Sequence, residues 1–345
     1  MRRAEPRPRT PVAFVQAIIR AYELREMDPR AVLCQAGLAS EELLDPRGRI
    51  AIEQFEALSA CAMRELDDEA LSWFSRRLPW GSYGMLLRAS LTAPTLGVAL
   101  RRWCRHHGLL TEDIRIELSI EGTMAVVRIE ETVDLGALRE FCLVSVLRNL
   151  HGIACWLTDS RIVLHRAHFP FPAPSHAEAY GKIFRGEIAF DFPEAEISFD
   201  AGYLELPVIR NDDALRKMLQ RPIQIMARHY RQDRRLSQRI NNYMSASASL
   251  PDAETIADHL AISVRSLQRH LQDEGTSLHV LKAEARRLMA EDLLRRRDFP
   301  IKKVARLLGY RDQSSFGRAF LNWTGRTPAE FRRRIITRTM NHGGA

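Results

Sequence analysis

Ile256-Ala257-Asp258-His259-Leu260-Ala261-Ile262 returns 48 residues later as Val304-Ala305-Arg306-Leu307-Leu308-Gly309-Tyr310. Each copy sets a small Ala between apolar neighbours and ends on an apolar residue, as a short helix running into a turn would. Beyond the turn the offset grows to 49, so that Leu267 aligns with Phe316, Arg269 with Arg318 and Leu271 with Phe320. A short helix, a tight turn and a second helix with apolar residues four apart form the helix-turn-helix layout. The Ala lets the two helices cross closely, and the later apolar pair holds the second helix in place. The face left over on helix 264–274 carries Arg265, Gln268, Arg269 and Gln272; on helix 313–322 it carries Gln313, Ser314, Gly317 and Arg318. Arg can grip guanine O6 and N7 together, Gln can do the same with adenine, and Gly lets a backbone come close.

Local punctuation frames both copies. Asp252 is placed to cap a helix opening near Ala253, with Pro251 just outside it. Asp298-Phe299-Pro300 starts the second copy, with Pro300 expected in the first helical turn, where a missing N–H costs nothing. Thr327-Pro328-Ala329-Glu330 reads as a capping box opening a final helix. Between the copies, Leu278 to Arg296 fits one long amphipathic helix, a rigid spacer between two reading heads.

Charge singles out the same third of the chain. Residues 236–345 hold 19 Lys+Arg against 11 Asp+Glu, the whole net charge of +8, whereas residues 1–235 balance at 32 of each. A neutral part joined to a basic one suggests a polyanionic partner. Duplex DNA fits better than RNA, because a helix enters the major groove of B-form DNA and not that of an A-form helix. With 345 residues, 46% of them hydrophobic, the chain is long enough for about two self-sufficient domains. No window reads as the ~18 consecutive apolar residues of a membrane span; the best run is Phe141 to Leu147. The basic, Pro-rich start has no signal-peptide core, and five scattered cysteines without a C-x-x-C pair read as reduced thiols. A cytoplasmic location is expected.

The front part changes period along its length. Val12–Tyr22, Ile50–Ala62 and Leu96–Cys104 carry helical spacing, whereas Ile114–Ile120 alternates strictly, turns at Glu121-Gly122 and resumes over Ala125–Ile129 as a hairpin. A further apolar helix fits Leu138–Leu157, and short strands fit Arg161–His165, Ile188–Phe192 and Glu196–Phe199. The prolines of Phe169–Pro174 break regular structure. The polar stretch Arg210–Arg235, expected to be helical at least in part, and the loop-like Ser245–Ser249 set a boundary near 208–236.

Catalytic readings fail on spacing. Trp80-Gly81-Ser82-Tyr83-Gly84 is G-S-x-G, not the G-x-S-x-G of a nucleophile elbow. His106-His107 and His165…His168 lack the partner ligands of a metal site, and His151 with Cys155 reads as a buried pair at i, i+4. No Walker or Rossmann loop appears, so neither metal nor cofactor is expected. Aromatics with few formal charges gather at Trp73, Trp80, Tyr83, Met85, Trp103 and His106, near Arg88 and Arg105. They either fill the core or line a pocket for a small apolar or carboxylate-bearing metabolite; the pocket reading names Trp80, Tyr83, Arg88, Trp103 and His106.

Residues 301–333 resemble the signature of AraC/XylS-type transcription regulators, carried by Val304-Ala305, Leu308-Gly309-Tyr310, Ser314-Ser315-Phe316, Arg318-Ala319-Phe320, Gly325-Arg326-Thr327-Pro328 and Phe331-Arg332. Residues 237–296, including Ser266–Leu271, are similar to the first helix-turn-helix of that family. Leu43–Ile50, Gly84–Ser90 and Ser90–Leu100 resemble the arabinose-binding type of N-terminal domain, a name that implies no arabinose ligand. The resemblance implies two recognition helices in adjacent major-groove segments of double-stranded promoter DNA. Arg265, Gln268 and Arg269 would face bases from the first helix, and Gln313, Ser314, Gly317 and Arg318 from the second. It implies that Ala257, Ala305, Gly309, Phe316 and Phe320 are core. It also implies activation through RNA polymerase, although activation and repression both fit the sequence. The expected architecture is an α+β sensor domain (1–207), a linker (208–236) and an all-α domain (237–338) with two helix-turn-helix motifs joined by a long helix. The expected function is a non-enzymatic, sequence-specific regulator whose promoter binding a small metabolite modulates. A ligand-independent dimeric regulator and a DNA reader fused to an enzyme are the alternatives, and dimerisation is a possible task of the front domain.

Overall fold

A computed structural model describes residues 9–43, 45, 48–226, 230, 235–247, 250–296 and 299–341. The chain divides into two units, Met1–Arg235 and Leu236–Ala345. In the front unit, strand β1 (Arg9–Pro11) leads into helix α1 (Val12–Glu23), whose buried face is Val12, Val15, Ile18 and Tyr22, and then into the short α2 (Arg30–Gln35). β1 pairs antiparallel with β2 (Arg49–Ala51), which runs into α3 (Ile52–Glu65). Helices α4 (Ser82–Ser90) and α5 (Leu96–His107) follow, the latter capped by the Thr95 hydroxyl.

The alternating segment forms the expected hairpin of β3 (Ile114–Glu121) and β4 (Met124–Glu131), with Ile116 opposite Ile129. Gly122 holds the turn at φ +61°, where a Cβ would be strained. Helix α6 (Arg139–Thr158) crosses the core, with Phe141, Leu147, Leu150 and Leu157 buried. Strand β5 (Leu164–His168), helix α7 (Tyr180–Ile183) and strands β6 (Glu187–Ala189) and β7 (Ala195–Asp200) complete a sheet in the order β3-β4-β7-β5-β6. Its pairs are antiparallel except β5 with β6. β5 starts three residues later than its apolar run predicts, because Ile162 is buried outside the ladder. β6 ends before Phe192, where Asp191 turns to φ +55°.

The stretch between the two domains holds the helical structure expected of part of it: α8 (Asp212–Gln220) and α9 (Pro222–Met226) pack on the front unit, and Leu215 and Met218 enter its core. Among the described residues one segment, Gly136–Thr158, is long and apolar enough to cross a membrane, with a mean hydropathy of 1.3. It contains the apolar helix expected over Leu138–Leu157, whose apolar run Arg139, Glu140 and Arg148 interrupt. Of that window 78% is buried, the pattern of a core helix.

The second unit is all helix: α10 (Arg235–Ala246), α11 (Ala253–His259), α12 (Val264–Asp273), α13 (Leu278–Arg295), α14 (Ile301–Leu307), α15 (Gln313–Thr324) and α16 (Pro328–Asn341). α10 continues through Ser245, whose hydroxyl bonds the Asn241 carbonyl one turn back, where a loop was expected. Ala248 and Ser249 lie outside the described residues, as do Asp298 and the run Arg231–Arg234. Pro300 sits at the cap position before α14, one residue outside the expected first turn.

Candidate nucleic-acid interface and the front-unit cavity

Two small cores organise the second unit. Ile256, Ala257, Leu260, Leu267 and Leu271 pack with Ile240, Met244 and Leu281; Val304, Ala305, Leu308, Phe316 and Phe320 pack with Ala290 and Leu294. The repeated positions are thus the buried ones: 257 and 305 where the paired helices cross, 267/271 and 316/320 under the second helix of each pair. α13 serves both cores, giving Leu281 to one and Leu294 to the other, about 20 Å apart along its axis at ~1.5 Å per residue. Each turn has a left-handed residue at the same aligned place, Ala261 at φ +54° and Gly309 at φ +79°.

Side-chain caps fix where the second helices begin. Ser263 accepts from the Ser266 N–H at 3.1 Å, and Asp312 accepts from the Ser315 N–H at 2.7 Å and its hydroxyl at 3.1 Å. The Asp312 carboxyl is held below its ordinary range, first by the Ser315 N–H. The expected box at α16 is formed in both directions: Thr327 N–H donates to Glu330 at 2.9 Å, and Glu330 N–H to the Thr327 hydroxyl at 3.3 Å.

Ala257, Ala305, Phe316 and Phe320 are buried as expected, whereas Gly309, expected in the core, is exposed in its turn; α12 leaves Arg265, Gln268 and Arg269 exposed, and α15 leaves Gln313, Ser314 and Arg318 exposed around a half-buried Gly317. A Cβ built on Gly317 would meet nothing within 4 Å, so the fold itself does not demand glycine there. Among the described residues Arg265, Arg269 and Arg318 form no salt bridge. Arg287 of α13 and Arg332 of α16 differ. Arg287 is tied to Glu284 and Glu291, and Arg332 clasps the carbonyls of Leu294 and Phe299.

The front unit encloses a cavity of about 1060 Å³. Of two neighbouring carboxylates at one edge, Glu69 lines the cavity and Asp68 organises the loop behind it. Asp68, fully buried, accepts from the N–H groups of Ala70, Ser72 and Leu78 and pairs with Arg25 at 2.5 Å. Glu69 accepts from Gly81 at 2.8 Å and Tyr83 at 2.7 Å, which anchors the start of α4; burial raises its pKa. Trp80, Tyr83, Arg88 and Trp103 stand in the cavity wall. Tyr83 stacks on Trp103 with ring centroids 6.0 Å apart. Trp80 is partly exposed beneath the Arg64 guanidinium, and Arg88 is exposed and paired with Asp212 at 2.9 Å.

His106 is half-buried and lies outside that wall. Four residues after Trp103, α5 instead turns His107 inward, where its Nε2 lies 3.3 Å from the Tyr83 hydroxyl; burial lowers the His107 pKa to about 4. The sequence reading also missed the wall supplied by α6, including Phe141, Val144, Arg148, His151 and Cys155. Its signal was an arginine in mid-helix among apolar residues. His151 and Cys155 are in contact as expected, at 3.6 Å. Among the described residues no group of three or more His, Cys, Asp or Glu is arranged to hold a metal.

Residues 27–208 match the family described as the arabinose-binding domain of AraC transcription regulators, and residues 256–334 match a helix-turn-helix domain. The chain belongs to the AraC family of transcription regulators. An AraC-type ornithine utilization regulator of Pseudomonas aeruginosa is 29% identical over 93% of this chain and 96% of its own length. The regulator VirS of Mycobacterium tuberculosis is 40% identical over 80 residues, 23% of this chain and 24% of its own. Among solved structures, the regulator CdpR of P. aeruginosa is 22% identical, covering 93% of this chain and 98% of its own, at a TM-score of 0.34. The chain is accordingly a DNA-binding transcription regulator, an α+β domain followed by an all-helical reader.

Proposed function

We propose that α12 and α15 read promoter DNA through Arg265, Gln268 and Arg269, and through Gln313, Ser314, Gly317 and Arg318, and that a small molecule in the front cavity modulates this reading. The observation that carries the first half is the pairing of exposed, unbridged Arg and Gln side chains with scaffold residues buried beneath them. The second half is supported by where the cavity sits in the chain. Met218, Leu219, Pro222, Ile223 and Tyr230 are in its wall, and the reader begins at Leu236. A molecule that alters this wall acts on the segment leading into the reader.

The protein acts in the cytoplasm as a regulator, with no catalytic step of its own. It activates transcription by contacting RNA polymerase, and pairing of two copies raises avidity for paired sites. The P. aeruginosa relative is named for ornithine utilization, so ornithine belongs among the compounds to test.

The experiment is retention of fragmented genomic DNA by the purified protein at fixed, near-physiological salt, because phosphate contacts make affinity steeply salt-dependent. A few promoters sharing one motif are expected. Uniform retention would remove the sequence-specific reading. Arg269→Ala or Arg318→Ala is expected to cost ~1–3 kcal/mol on the selected site and to relax specificity at one base position. Equal weakening on every sequence would place that arginine on phosphate instead.

A further inference from the structure

Arg148 stands in the middle of α6, the helix whose neighbouring positions fill the core, and its side chain lines the cavity. Among the described residues it has no hydrogen bond and no ion pair, unlike Arg139 on the same helix, which binds Glu131 at 2.7 Å. An unpaired guanidinium away from bulk water is costly. Burial lowers its pKa to about 10, which still leaves it charged at neutral pH.

The carboxylates of the wall are already engaged. Glu69 holds the N–H groups of Gly81 and Tyr83, and Glu56 likewise has an interaction of its own. Arg49, Arg64, Arg161 and Lys182 also stand in the wall without an ion pair among the described residues, but Arg64, Arg161 and Lys182 are exposed, whereas Arg148 is set among the apolar side chains of α6 and no carboxylate of the wall is free. Around it the wall is apolar and aromatic, with Phe14, Phe55, Trp73, Phe141 and Trp103 prominent.

From this placement we infer that the cavity takes a monocarboxylic acid with a large apolar body, its carboxylate on Arg148 and its body against the aromatic wall. A planar guanidinium matches a carboxylate with two parallel N–H donors. The apolar side chains around Arg148 suit a single negative charge better than the double charge of a phosphate monoester. A diamino acid would bring cationic groups that find no free carboxylate. About 1060 Å³ is also far more than a short polar metabolite fills. The inference rests on the cavity being an effector site and names what that site accepts.

The test uses the full chain and four probes: 6-phenylhexanoate, 6-phenylhexan-1-ol, 6-phenylhexyl phosphate and ornithine. Binding is read by quenching of the wall tryptophans and by calorimetry, and DNA affinity is measured separately. The acid is expected to bind at least ~10-fold tighter than the alcohol, with the phosphate ester and ornithine weaker than the acid. Arg148→Met is expected to remove that advantage while leaving the alcohol unchanged. It should also raise the Tm of the unliganded protein, because it removes an unpaired buried charge. Equal binding of acid and alcohol, preference for the phosphate or ornithine, binding of none, or a lower Tm in Arg148→Met would each overturn the inference. Acid binding through Arg148 that leaves DNA affinity unchanged would instead sink the effector reading and leave the anion site standing.

Discussion

Ala261 and Gly309 occupy the same place in the two turns, both left-handed, yet only one of them is the residue that adopts this conformation freely. Ala261→Gly is therefore expected to stabilise the reader by about 0.5–1 kcal/mol, and Gly309→Ala to cost about 1 kcal/mol; urea unfolding followed at Trp323 measures both. Gly317 has the opposite logic. It lies in mid-helix with open space where a Cβ would go, so Gly317→Ala should leave the fold as stable or up to about 1 kcal/mol more stable. If α15 brings its backbone against bases or phosphates, the same change should weaken DNA binding; unchanged affinity would take Gly317 out of the interface. In the front unit, His107 is neutral when folded, its pKa lowered to about 4 from 6.5. The unfolded chain binds the extra proton first, so this residue adds stability above about pH 6.5 and loses it as pH falls toward 4, on the order of 3 kcal/mol in all. His151, whose pKa is raised, works in the other direction, so the measurable quantity is a difference: His107→Gln should flatten the loss between pH 6.5 and 4 relative to the parent chain.

Helices α11, α12, α13, α15 and α16 of the reader begin where short polar side chains accept the first free N–H groups. Ser263→Ala should cost about 1 kcal/mol by removing the bond to Ser266. The carboxylate caps Asp252 and Asp312 have lowered pKa values when folded, so their contribution is present above the unfolded value near 4 and disappears as pH falls through the folded one. Acid melting of the reader should therefore concentrate below about pH 4, and Asp312→Asn should blunt it. The Asp252 cap was legible because it is local: cap, turn and period all fall within a few residues of one another. The hairpin at Gly122 and the box at Thr327 were readable for the same reason. The cavity was not, since its wall is drawn from α3, α4, α5, α6 and the segment 218–230, which no window of sequence places together. A window rich in aromatics pointed to Trp80, Tyr83 and Trp103, but the charge they enclose came from Arg148, far along the chain. The partly helical character expected over 210–235 appears as α8 and α9, with Leu215 and Met218 marking the buried side of α8.

At the scale of the whole molecule, the proposed mechanism is a coupling between two sites and must be reciprocal. A ligand that raises promoter affinity by some factor should itself bind tighter by that factor when specific DNA is present; no change would break the scheme. A fragment starting at Leu236 should fold and bind DNA without any effector, because both of its cores are built from its own residues. Those cores are small and they share α13. A helix of 18 residues that supplies Leu281 to one and Leu294 to the other cannot fray for one head alone. Inactivating substitutions should therefore scatter over both heads alike, even at a promoter where the bases under only one of them matter.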